Sequence, residues 1–392
     1  MVQSAGIRGR LGRWFRERGS RLLTAAALTW AVGWIVGLFL APDSLFGGRF
    51  VDEGTYYGAG LAYRQGADLF SGVAFRQWPL VAVLWSPLTL LARPIAARIW
   101  LLLLLVGVAV GFFALVARPA REPGRAPFGR LVVLFLGPPT LIMLYLGQMS
   151  GLCFAAYAVG LRILPRYPRL AGCCFAMIAA KPNLALIALP ALLAAPPSAT
   201  LAFVLTALIW PVGSVLVSGP ATLLDFLGRV YAVRDTTLGL VSSSLGSLLP
   251  LQGTPHALVQ FVLLGALACL LAWLCWRRWR RGMLLTPGGV DLAAVVTLIA
   301  LPYALVSDLL FVAPLLLRLS VLPGWSTPSL LTAWWLIPWL AALFAHSGGG
   351  GLAAVLPPLA ALVGWRLIGE CWQARPPTTL VAALPDSGSP HA

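Results

Sequence analysis

A chain of 392 residues that is 59% hydrophobic and only 10% charged, with a mean hydropathy of +0.88, is not an ordinary soluble domain. Such a domain carries charge on about a quarter of its residues. The net charge of +16 does not point to nucleic acid, because the arginines cluster between apolar runs and no zinc-finger spacing, RNP-like motif or basic helix accompanies them.

Residues 8–21 hold six arginines and precede an apolar run at 22–40. Short basic segments stay in the cytoplasm, so 1–21 reads as a cytoplasmic basic N-terminus. The run 22–40 is long for a signal-peptide core and lacks a small-residue cleavage site, so it reads as an uncleaved anchor. Further long runs at 99–116, 258–276 and 330–345 approach the roughly 20 residues that span a bilayer as helix. A transmembrane barrel would show short alternating segments instead. The expected fold class is an all-α polytopic membrane protein, with about 12 transmembrane or broken half-helices.

The anchor delivers residues 42–98 to the outside as an outer loop. This loop opens on the acidic pair Asp52-Glu53, which heads the run to Tyr56-Tyr57 and Gly60, and it contains an interfacial helix after Pro79. Residues 99–116 return inward to a loop with four arginines at 118–130. Spans at about 131–146 and 151–164 follow, with Gly147-Gln148 at an outward tip and Arg162, Arg166 and Arg169 inside. The cluster Arg277, Arg278, Arg280 and Arg281 is again inside, so 258–276 runs inward, 218–256 is an outer loop and 201–217 runs outward. Residues 352–371 bring the chain back to a cytoplasmic tail at 373–392, which is rich in Pro, Ser and Ala.

Parity then demands that residues 170–195 start and end on the same side. A straight helix of that length would cross, so the chain must break and return. Lys181-Pro182-Asn183 is the break, since proline disrupts a helix and disfavours it just before. Lys181 is also the only lysine of the chain, and an ionisable group at membrane depth marks a site or a watery cavity. The same reasoning gives residues 290–321 a broken hairpin, with Pro302-Tyr303 and Ser307-Asp308 at its tip. By this count twenty arginines lie inside and seven outside.

One non-cytoplasmic cavity then holds Asp52, Glu53, Gln148, Lys181, Asn183, Asp308 and the loop with Arg229 and Arg234. A carboxylate can take a proton from a hydroxyl, and a cation can stabilise a departing phosphate. Transfer of a sugar from a lipid phosphate to an alcohol needs both. Several motifs, in order, carry a resemblance: Asp52 through Gly60, Trp78-Pro79 through Ser86-Pro87, Ala97-Arg98-Ile99-Trp100, Gly147-Gln148, Gly172 through Lys181-Pro182, Ser242 through Gly246, and Pro302-Tyr303 through Asp308. This series resembles the family 87 glycosyltransferases, membrane enzymes of the GT-C class that use polyprenyl-phosphate sugars, typically mannose.

The resemblance implies a GT-C-type fold over residues 22–372. It also implies a lipid or glycan acceptor, membrane lipids as partners, and a site facing the periplasm or cell exterior with both termini cytoplasmic. It places the catalytic base on Asp52, with Glu53 as possible second acid. Lys181, Arg229 and Arg234 become donor-phosphate residues, and Tyr56, Tyr57, Gln148, Asn183, Tyr303 and Asp308 cavity-lining ones. The polyprenyl-phosphate sugar enters as a substrate. No cofactor is fixed by the sequence and no metal-ligand spacing is present, while the resemblance leaves the use of a divalent metal open. The chain departs from the family pattern after Trp78-Pro79, which continues Leu-Val-Ala-Val where proline is usual, and before Asp308, where Val306-Ser307 replaces an aromatic.

Blander roles compete for the same residues. Asp52-Glu53 alone reads as a solvated pair, Lys181 as a lysine snorkelling to the interface, Gln148 as a turn cap, and Asp308 as the partner of an arginine. Two other classes of function fit broken helices as well. A lipid-linked sugar transporter or flippase predicts an inverted repeat, which the sequence lacks. A non-catalytic membrane scaffold predicts that substitutions change assembly, not turnover.

Overall fold

The computed structural model describes residues 25–40 except 27, 51–116 except 71–74, 132–231 except 133, and 287–319 except 302 and 303, with scattered positions in 262–276 and Trp334. The secondary structure of the described residues is helical, without a strand. In chain order the helices are α1 (Leu28–Leu40), α2 (Val51–Arg64), α3 (Pro79–Trp85), α4 (Arg93–Val116), α5 (Pro138–Leu146), α6 (Ser150–Ile163) and α7 (Pro168–Met177). After a break come α8 (Leu189–Ala194), α9 (Pro197–Ala207), α10 (Ile209–Tyr231), α11 (Pro287–Ala300) and α12 (Ala313–Leu319). Short 3-10 turns at Ser86–Leu90, Ile178–Ala180, Pro182–Ala188 and Val306–Val312 connect them.

Among the described residues two helices are long and apolar enough to cross a membrane: Arg93–Val116, and the run Pro197–Gly228 formed by α9 and most of α10. The other apolar helices described are shorter. The expected span at 131–146 contains a helix of only nine residues, because Gly137-Pro138-Pro139 forces a new start at Pro138. The runs at 330–345 and 352–371 and both termini lie outside the described residues, apart from Trp334, and 258–276 is described only at scattered positions.

Two stretches read as loop are helical. Asp52 and Glu53 occupy the first turn of α2, where acidic side chains complement the helix dipole. Tyr56, Ala59 and Gly60 then bury one face at helical spacing. The stretch 218–231, expected to begin an outer loop, continues α10 past a kink at Gly219 (φ 82°), which precedes Pro220.

Three packing contacts set the direction of the bundle. Gly107 of α4 lies against Leu152 of α6, and Gly111 lies against Phe154, so α4 and α6 run parallel in close contact. This is a small-xxx-small face, which lets two backbones approach. Helix α7 runs back along α6, with Gly160 against Phe175 and Cys153 near the carbonyl of Ile178. Helices α9 and α10 then run parallel to α7: Thr206 meets Cys173, and the Trp210 indole N–H donates to the Ala176 carbonyl at 3.1 Å. Residues 178–196 therefore bring the chain back to the end it left, as the parity of the arginines requires.

The reversal is centred on Lys181, which adopts an extended backbone (φ −108°, ψ 96°) ahead of Pro182. Irregular backbone in an apolar setting needs partners for its freed carbonyls. The Trp78 indole N–H supplies one, donating to Ala179 at 2.6 Å. The second broken hairpin closes in the same way. At its base the Arg318 guanidinium binds the buried Asp291 carboxylate at 3.0 Å, across the start of α11 and the end of α12. Removing one member of a buried pair costs about 3–5 kcal/mol. Asp291→Ala is expected to lower the thermal unfolding temperature of the purified protein by many degrees, and an unchanged midpoint would show that the pair does not pin the arms.

Candidate active site

The two reversals meet. Lys181 Nζ lies 2.6 Å from Asp308 Oδ1, with 2% and 0% of the two side chains exposed. Ser150, at the first position of α6, completes a triangle: its hydroxyl donates to Asp308 Oδ1 at 2.5 Å and accepts from Lys181 at 2.9 Å. The other Asp308 oxygen accepts the Leu305 backbone N–H at 2.9 Å, and the Asp308 N–H returns to the Leu305 carbonyl at 2.8 Å. Every charge in this buried group is answered by hydrogen bonds, which is the condition for such a pair to persist.

Asp52 stands beside this triangle, half-buried at the start of α2. Gln148 Nε2 donates to its Oδ2 at 2.5 Å. Gln148 is placed by Gly147, which ends α5 in the left-handed conformation (φ 70°) that favours glycine and whose Cα lies against Glu53. The Trp100 indole donates to the Gly147 carbonyl at 2.8 Å and fixes the turn against α4. Burial raises the Asp52 carboxyl to about 6; the Lys181 charge and the Gln148 hydrogen bond pull it down, Asp308 pushes it up, and Arg76 pulls it down. A carboxylate near that value is poised to accept a proton at neutral pH.

The other expected site residues fall in distinct places. The carboxylate of Glu53, 1% exposed, is held by Arg93 at 3.1 Å, which ties α2 to the start of α4. Burial raises its carboxyl, and Arg93 opposes the rise. Tyr56 is buried between Trp85 and Trp100 beneath Asp52, at 5.8 and 6.0 Å between ring centroids. The Tyr57 hydroxyl donates to the Leu91 carbonyl at 3.0 Å. Asn183 is half-buried just past the Lys181 break. Arg234, Tyr303 and the Arg229 side chain lie outside the described residues, as do the serines 242–244. Among the described residues no cluster of three or more His, Cys, Asp or Glu side chains could hold a metal ion.

Two participants escaped the sequence reading. Ser150 belongs to no motif in the sequence, although a small hydroxyl at a helix start opposite a buried ion pair is a natural satisfier of spare lone pairs. Arg76 is one of the seven arginines placed outside and belongs to no motif, although it precedes Trp78-Pro79 by two residues and its charge reaches Asp52.

The described residues form an all-helical bundle with a buried ion pair and a half-buried carboxylate at one end. Glycosyltransferase family 87 matches residues 79–307, more than half of the chain, and the chain belongs to that family. It is therefore a member of a glycosyltransferase family, which implies a sugar donor and an acceptor. The matched span begins after Asp52 and ends one residue before Asp308. No curated protein matches the chain.

Proposed function

We propose that the protein is an integral membrane hexosyltransferase of GT-C type that moves a sugar, mannose by family habit, from a polyprenyl-phosphate donor to a lipid or glycan acceptor, with inversion. Asp52 is the general base. The observation that carries this is the half-buried carboxylate raised to about 6, held by Gln148 and set beside Lys181, Asp308 and Arg76. In the reaction the acceptor O–H gives its proton to Asp52 as its oxygen bonds the anomeric carbon. The bond from that carbon to the phosphate oxygen breaks, and its electron pair leaves on polyprenyl phosphate. The proton on Asp52 then passes to solvent or to the released phosphate.

The leaving phosphate needs positive charge. Lys181 is largely neutralised by Asp308, and two of its three protons go to Ser150 and Asp308. The proposal therefore assigns the phosphate chiefly to Arg76 and the remaining Lys181 proton, with Arg229 and Arg234 expected to close over it. Glu53 serves as the anchor that sets the start of α2, not as a second acid. The excess of arginine on the inner loops supports a site facing the periplasm or cell exterior of an inner or plasma membrane, with both termini cytoplasmic.

The test is transfer by the purified protein in nanodiscs, from radiolabelled polyprenyl-phosphate mannose to a total lipid extract. Because the base must be ionised, the rate is expected to fall about tenfold per pH unit below 6. A rate flat from pH 7 to 4.5 would remove a carboxylate base of this kind.

A further inference from the structure

Gln148 has a second functional atom. Its side chain is 3% exposed, its Nε2 is committed to Asp52, and its Oε1 is buried without a hydrogen-bond partner among the described residues. A buried acceptor left unpaired is costly and rare, and rotating the amide does not relieve this one. The opposite orientation would set two oxygens against each other across the Asp52 contact. The ionised base thus fixes the amide with its oxygen turned away from the carboxylate, one amide width from the group that activates the acceptor. A hydroxyl donor would satisfy that oxygen.

We infer that Gln148 reads the transferred sugar, its Oε1 accepting a hydrogen bond from the hydroxyl on C2 while its Nε2 holds the base. This rests on Asp52 being the base. The acceptor hydroxyl must lie against Asp52 and within attack distance of the anomeric carbon, so the sugar hydroxyl nearest to a neighbour of Asp52 is the one on the adjacent carbon. A hydrogen bond at that position also strengthens as charge develops on the ring. The same amide then does two things: it orients the carboxylate and it selects for the hydroxyl at C2, the carbon whose configuration separates mannose from glucose.

The experiment compares polyprenyl-phosphate hexose with its 2-deoxy, 3-deoxy and 4-deoxy analogues, on wild type and on Gln148→Met, which keeps length and loses both polar atoms. Gln148→Asn, which withdraws the amide by one methylene, guards against a variant that fails to fold. Wild type is expected to prefer the parent over the 2-deoxy donor in kcat/KM on the order of 100-fold, the consequence of an unpaired buried acceptor. In either variant that ratio is expected to collapse to within about threefold, with the 3-deoxy and 4-deoxy ratios unmoved. A 2-deoxy ratio unchanged by both substitutions would overturn the inference, as would wild type that ignores the 2-hydroxyl or a collapse confined to another hydroxyl. Failure of Asp52 as base is read separately, from transfer that survives Asp52→Asn.

Discussion

Asp52→Asn is expected to cut transfer and to stabilise the fold. The loss is expected to be about a thousandfold, within the roughly 10²–10⁴ that a positioned base contributes. The amide oxygen of Asn can still accept from Gln148 Nε2, so the turn at Gly147 and the start of α2 stay in place. The stability change follows from the sign of the shift. Burial raises the Asp52 carboxyl from 3.8 to about 6 in the folded protein, so the ionised side chain opposes folding at neutral pH. That penalty is fully present above pH 6, shrinks as pH falls through 6, and is gone below the unfolded value. Asn carries no such charge. Thermal unfolding at pH 7.5 is therefore expected to show a higher midpoint for Asp52→Asn, with the gain narrowing by pH 5. A variant that is inactive and also less stable would point to a structural carboxylate.

The second large effect lies in the Lys181–Asp308 pair. Lys181→Met strands a carboxylate and Asp308→Asn strands an ammonium, each inside the protein. Each is expected to cost about 3–5 kcal/mol, while the double substitution recovers much of the loss. Packing alone could produce part of that pattern, and the pH profile separates the causes. Lys181 lowers the Asp52 carboxyl and Asp308 raises it. The acid limb of transfer should move above pH 6 in Lys181→Met, below it in Asp308→Asn, and back toward 6 in the double variant. Movement of both single variants in the same direction would sink the electrostatic account.

How much of this was legible in the sequence depends on the range of each interaction. The reversal at Lys181-Pro182 is local chemistry, since proline removes a donor and restricts the residue before it, and the parity of arginine-bearing loops needs no side-chain geometry. The helix after Pro79 is local too, and the structure has it as α3 and its 3-10 extension. Partner choice is different. Asp308 was expected to answer an arginine; its partner is Lys181, 127 residues away, and no spacing rule joins them. Glu53 and Arg93 are 40 residues apart, and that pairing decides that Glu53 anchors a helix. The helix α2 was hidden because its run of Gly and Tyr reads as a turn. Its stability comes from tertiary burial of Tyr56 against Trp85 and Trp100, which propensity does not register. The continuation of α10 past Gly219-Pro220 was hidden for the opposite reason: two breakers together mark a stop, and here they mark a bend.

The distance between Lys181 and Asp308 along the chain also has a temporal meaning. A ribosome that adds roughly 5–20 residues per second releases Lys181 on the order of ten seconds before Asp308, given the 127 residues between them. Throughout that interval the first reversal carries an ammonium whose counter-ion has not been made. The fold can therefore be sealed only late in synthesis, when the second reversal arrives. In a nascent chain stalled before Asp308, a cysteine introduced beside Lys181 should remain open to a thiol-reactive reagent, and in one stalled well after it, it should not.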